Sequence, residues 1–131
     1  MTILILCLFI ALLLPYMAKL PLAYAMHQQG GYDNNHPRAQ QAQLTGFGAR
    51  ALAAHQNSFE AVIIFAPALL LAIATKNTGE FIQLLAVIHV IARVLYNILY
   101  LINWGTLRSL VWFVALFCSF TIIWQSFVLN L

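Results

Sequence analysis

Two short stretches concentrate polar chemistry in an otherwise apolar chain. The first is RALAAHQNSFEA, residues 50–61, where Arg50 and Asn57 stand seven residues apart and Glu60 follows three later. On a helix, Arg50 and Asn57 share one face and Glu60 lies on its flank. The second is RVLYNILY, residues 93–100, in which Arg93, Tyr96, Asn97 and Tyr100 recur at helical spacing and form one stripe. Arg108 and Ser109 follow shortly after. Guanidinium forks match carboxylates in pairs, and a carboxylate such as Glu60 receives an ammonium. The set suits a small zwitterionic, peptide-like ligand, with the surrounding apolar sequence supplying an apolar co-substrate.

The elements that position these groups follow from composition. Of 131 residues, 63% are hydrophobic and 7% charged, with mean hydropathy +0.89, far from the roughly 25% charged usage of soluble domains. This points to an integral membrane protein. Six basic and three acidic residues form no basic cluster or stripe, which argues against a nucleic-acid partner. Cys7 and Cys118 fall inside apolar runs, no Cys/His spacing suits a metal, and none is expected. The first apolar run carries no basic residue before it, and Lys19 lies at its far end, so it reads as a retained span and not a cleaved leader.

A lipid-crossing helix needs roughly 20 mainly apolar residues with its backbone satisfied internally. Four segments qualify, at about 2–25, 48–75, 81–102 and 110–129, with Pro15 and Pro21 expected to bend or end the first. The runs are too long and continuous for barrel strands. KNTGE and NWGT are tight turns, whereas the polar segment at about 27–45 is a long loop. The fold expected is therefore an all-α, four-transmembrane-helix, up-down bundle, as one domain over 1–131. Lys19, Arg38, Arg50 and Arg108 gather on the long-loop side, which the positive-inside rule places in the cytoplasm.

Antiparallel spans then set depth. Glu60 lies roughly 18 Å along the second span from Gly48, and Arg93 roughly 15 Å back from Asn103 along the third, at about 1.5 Å per residue. The two deep charges lie at similar levels, so a direct Arg93–Glu60 contact, within or between chains, is the first expectation. The same pair could serve only to fix helix register. Arg50 could be a snorkelling anchor, Tyr96 and Tyr100 packing or interface aromatics, and Arg108 a topology determinant. His55 and His89 are expected to make interhelical hydrogen bonds. DNNHPR reads as turn chemistry, with Arg38 a candidate to fold over the pocket mouth.

AAHQNSFEA resembles the second-helix motif of the MAPEG family, the membrane-associated proteins in eicosanoid and glutathione metabolism. RVLYNILY followed by LRS is similar to its third-helix Arg/Tyr signature and the arginine opening its fourth helix. The resemblance covers about residues 15–125 and is to a bacterial-type member. It implies a homotrimer with glutathione as co-substrate, bound between subunits near the cytoplasmic face. It also implies glutathione contacts from Asn57, Glu60, Arg93, Tyr96 and Tyr100; the polar stripes themselves add Arg50 to the pocket wall, with Arg38 and Ser109 at its rim. Arg108 looks like the arginine that stabilises the glutathione thiolate. Two departures stand out: Ala53 where several eicosanoid-forming members carry an arginine, and Ala61 where a tyrosine follows the glutamate in leukotriene-C synthase. The Tyr100-to-Arg108 spacing also differs by one residue from some members.

The function expected from residues and resemblance together is a membrane-bound glutathione transferase or peroxidase of detoxification type. It would act on small hydrophobic electrophiles or lipid hydroperoxides, in a bacterial inner membrane. The alternatives are a non-enzymatic lipid-binding scaffold of the same family, or a helical subunit of a larger membrane complex.

Overall fold

The computed structural model describes residues 1–129. Five helices occur in order: α1 (Thr2–Gln28), α2 (Pro37–Ala42), α3 (Gly46–Ala74), α4 (Glu80–Leu101) and α5 (Gly105–Val128), with no strand among the described residues. All but α2 are long and apolar enough to cross a membrane. At most 33% of the most apolar stretch of each is buried within the bundle, and side chains such as Ile63 and Phe117 are 72% and 69% exposed. An outer surface this apolar is matched to lipid and not to water.

The long helices run antiparallel. Leu4, Cys7, Phe65, Leu69, Ile82, Leu85, Cys118 and Ile122 form a core at one end, drawn from the start of α1 and α4 and the end of α3 and α5. At the other end, Leu22, Met26, Leu44 and Ala51 pack together with Leu101 alongside. α3 packs against α1, α4 and α5. The seam of α1 buries Ala11, Ala18 and Ala25, and that of α3 buries Gly48, Ala51 and Ala54. Small residues let helix backbones approach closely in lipid, where no hydrophobic force distinguishes helix from solvent. Gly48 is an instance, because a Cβ there would sit 2.9 Å from Leu44 and 3.2 Å from Ala25.

Sequence expectation and structure part at three places. α1 continues through Pro15 and Pro21 without ending. The long loop contains α2, opened by Pro37 in the first turn where its missing N–H is no loss. Gln40 ties α2 down: its Nε2 donates to Met26 O at 3.0 Å and Gly31 O at 2.7 Å, and its Oε1 accepts from the Asp33 N–H at 3.0 Å. Asp33 in turn accepts the Asn35 and His36 amides, both at 2.9 Å, and the His36 N–H holds its carboxyl below the ordinary aspartate range. Third, α5 begins at Gly105, ahead of the apolar run at 110, because hydropathy marks where lipid contact starts and not where the helix starts.

Both tight turns are built alike. After α3, Lys76 takes φ 57°, its N–H donates to Ile73 O and the Asn77 N–H donates to Ala72 O. After α4, Asn103 takes φ 64°, its N–H donates to Tyr100 O and the Trp104 N–H to Leu99 O. This pair of bonds is the Schellman arrangement, which satisfies the orphan carbonyls of a helix end through one left-handed residue. Asn tolerates that conformation better than Lys does.

Candidate functional site

The expected Arg93–Glu60 contact is replaced by a relay. Arg93 Nη2 donates to Asn57 Oδ1 at 2.8 Å and to the Asn57 backbone carbonyl at 3.1 Å, and Asn57 Nδ2 donates to Glu60 Oε2 at 2.6 Å. No ion pair joins Arg93 and Glu60 among the described residues. The reason is the amide's dual character: Asn57 presents an acceptor to the guanidinium and a donor to the carboxylate at once. Arg93 is 3% exposed, whereas Glu60, one turn on, is exposed. The relay thus carries a buried positive charge to an accessible negative one.

A ladder of two rings held between two cations runs from Arg93 toward the α4–α5 turn. The Arg93 guanidinium lies 4.2 Å from the Tyr96 ring centre, Tyr96 meets Tyr100 edge to face at 5.5 Å, and the Arg108 guanidinium lies 4.1 Å from the Tyr100 ring. Arginine over an aromatic face is attracted by the ring quadrupole. Arg108 reaches Tyr100 because it sits in the first turn of α5, its N–H bonded to Trp104 O. Tyr96, Arg108, Ser109, Trp112 and Phe113 line an open depression of about 280 Å³.

Arg50 stands apart from these contacts. Its Nε donates to Leu101 O at 3.3 Å, supplying a partner for a carbonyl at the end of α4. Arg38 is exposed on α2, and Ser109 donates to Gly105 O at 3.1 Å. The structure therefore brings together Asn57, Glu60 and Arg93, and along the same ladder Tyr96, Tyr100 and Arg108. Arg50 and Arg38 are not brought to them within this chain.

Further residues join the site: Asn97, already in the α4 stripe, and Ser58, His89 and Ser119, which sequence reasoning did not assign to it. Ser58 donates to Asn97 Oδ1 at 3.2 Å and Asn97 Nδ2 to Arg93 O at 2.9 Å, bracing α3 against α4. His89 lies flat on Phe65, with ring centres 3.7 Å apart. Its Nδ1 is 2.9 Å from Ala115 O and 3.0 Å from Ser119 Oγ. A carbonyl only accepts, so Nδ1 carries the proton and Nε2 is left as an acceptor. A cavity of about 150 Å³ lies between α3, α4 and α5, with Asn57, Glu60, Arg93, His89, Ser119 and Trp112 among its walls. The helical spacing of Ser58 and Asn97 with the motif residues was the only sequence signal for these groups. Nothing in the sequence pairs His89 with Ser119, thirty residues on. His55, by contrast, makes the interhelical bond expected of it, to Pro15 O at 2.8 Å.

The fold and site define a four-span helical membrane bundle with an arginine–amide–carboxylate relay joining α3 to α4 within the spans. The model of the MAPEG family matches residues 3–128. The chain belongs to the MAPEG family and is an integral, multi-pass membrane protein. No curated protein and no solved structure matches it.

Proposed function

We propose that the protein is a membrane glutathione transferase or peroxidase that works as a homotrimer, with the site near the cytoplasmic face of a bacterial inner membrane. The observation that carries this is the ladder Arg93–Tyr96–Tyr100–Arg108, which links the buried Arg93, bonded through Asn57 to Glu60, to the half-buried Arg108. The ladder and Glu60 supply the charges a zwitterionic tripeptide needs: Arg93 for a carboxylate, Glu60 for the ammonium, and Arg108 for the sulfur. Arg50 and Arg38, remote within one chain, would reach glutathione from a neighbouring subunit.

Arg108 beside the thiol favours its ionised form, and the thiolate is the nucleophile. In transfer, the glutathione sulfur bonds to an electrophilic carbon and a halide leaves with the carbon's former bonding pair. In peroxide reduction, two glutathione molecules and one hydroperoxide give the disulfide, an alcohol and water. The lipid-facing helix surfaces deliver apolar substrates by partition.

The test is turnover of a chlorodinitrobenzene and of an organic hydroperoxide by purified protein with glutathione, alongside thermal unfolding with millimolar glutathione. Turnover and a raised melting temperature are expected, and Glu60→Gln is expected to weaken glutathione binding while leaving the oligomer intact. No turnover with no thermal shift would instead favour a non-enzymatic lipid-binding scaffold.

A further inference from the structure

Where α1 meets α3 on the outside of the bundle, two cations stand without a counter-ion above an aromatic wall. The wall begins at His55, whose Nδ1 lies 2.8 Å from Pro15 O, and continues as the His55 ring meets Phe59 and Phe59 meets Tyr16. Tyr16 is 66% exposed, Phe59 is exposed too, and one turn further from the loop on each helix stand the exposed Leu12 and Ile63. Lys19 follows Pro15 by four residues, on the same face of α1 and at the loop end of this wall. Its Nζ lies 5.7 Å from the Tyr32 ring centre. Lys19 and the exposed Arg38 of α2 are both near enough to the His55 ring for their charges to act on it. Neither has an acidic partner: the one ion pair among the described residues is His36 with Asp33. The chain has only three acids. Asp33 accepts the amides of its own loop, Glu60 is bonded to Asn57, and Glu80 opens α4 at the opposite end of the bundle.

We infer that this outer face of α1 and α3 is a binding site for an anionic phospholipid, with the phosphate on Lys19 and one acyl chain along Tyr16, Phe59, Leu12 and Ile63. Depth supports a lipid head. Lys19 lies about 26 Å along α1 from Thr2, and His55 about 29 Å along α3 from Ala74, at about 1.5 Å per residue. The hydrocarbon core is about 30 Å thick, so both stand where headgroups begin, on the side of the long loop. Cations at that level attract anionic headgroups. A zwitterionic head would bring a third cation toward Lys19 and Arg38, and a soluble anion would leave the aromatic wall below uncovered. Lys19 makes the contact, and Arg38 adds positive potential from the water side whether or not it also reaches a neighbouring subunit's glutathione. The site does not depend on the transferase or peroxidase reading.

Native mass spectrometry of the full chain released from detergent reads bound lipid and oligomer mass together. Phosphatidylglycerol and phosphatidylcholine with matched acyl chains are titrated in turn, without glutathione. Phosphatidylglycerol is expected to bind about fivefold more tightly, the worth of one cation at the membrane surface. Lys19→Gln should remove most of that preference, and Lys19→Arg should keep it. Equal binding of the two lipids by the unaltered protein, or a preference that Lys19→Gln leaves intact, overturns the inference. Two competition arms, at constant ionic strength, separate the sources of the anion. Displacement of phosphatidylglycerol by millimolar glycerophosphoglycerol would make this a site for a soluble anion, and displacement by millimolar glutathione would give the cations to glutathione; either overturns the lipid assignment. A changed oligomer mass in Lys19→Gln with the lipid preference unaltered would mark the face as a contact between copies and overturn it equally. Lysine-dependent preference for phosphatidylglycerol in a protein that shows no turnover with glutathione sustains the site and removes the enzyme reading instead.

Discussion

Replacing Asn57 by alanine tests the relay at its centre. The change removes the 2.8 Å bond from Arg93 Nη2 to Asn57 Oδ1 and the 2.6 Å bond from Asn57 to Glu60, while the backbone carbonyl of residue 57 stays in place. Neutral interhelical hydrogen bonds in membrane proteins average about 0.6 kcal/mol. A bond to a charged group is worth about 1.5–3 kcal/mol, and Arg93 is buried with its Nε already unpartnered. Asn57→Ala should therefore destabilise the bundle by about 1.5–3 kcal/mol. Glu60→Gln should lose far less, because the amide can still accept from Asn57 Nδ2. Adding Arg93→Met to Asn57→Ala should restore stability or leave it unchanged, since it withdraws the stranded charge. Reversible unfolding in mixed micelles by dodecyl sulfate, followed by far-ultraviolet circular dichroism, gives all three values. A loss near 0.6 kcal/mol for Asn57→Ala, or an equal loss for Glu60→Gln, would refute the reasoning and return Glu60 to the position of direct counter-ion.

Three further outcomes are expected. Arg108→Met should raise the pH at which the bound glutathione thiol ionises, read by thiolate absorbance, so that activity falls at least tenfold at neutral pH and recovers toward alkaline pH; an unshifted profile removes Arg108 from the mechanism. Lys76→Gly should stabilise the bundle by about 1 kcal/mol in the same unfolding assay, because glycine adopts φ 57° without the steric penalty a lysine carries. The Asp33 carboxyl, held below its ordinary range by the His36 N–H, stabilises the loop at every pH above the unfolded carboxylate range and ceases to as pH falls through the lowered value. Amide exchange at Asn35 and His36 should accordingly stay slow down to acid pH and then accelerate, and Asp33→Ala should make it fast throughout.

Hydropathy made the spans legible because lipid contact demands long apolar runs, and helical spacing grouped Arg93, Tyr96 and Tyr100 because one face of α4 carries them. Depth counting brought Glu60 and Arg93 to one level, but formal charge drew attention to Glu60 when the neutral amide of Asn57 was the residue in contact. The start of α5 was hidden for a related reason: the residues from Gly105 to Ser109 are helical without being especially apolar. α2 carries no apolar stripe, so only Pro37 marked it. His89 and Ser119 were illegible as a pair, since each is unremarkable on its own helix and only the packing of α4 on α5 brings them within 3.0 Å.

The turn after α4 closes on Asn103 and α5 begins two residues later. No slack lies between Tyr100 and Arg108, so the connection acts as a gear tooth between two helices. One residue inserted or deleted at 102–104 would break the paired bonds from the Asn103 and Trp104 N–H groups to α4 and move the Arg108 guanidinium off the Tyr100 ring, with every side chain unchanged. The length of this turn, as much as the identity of the arginine, fixes which direction the positive charge faces.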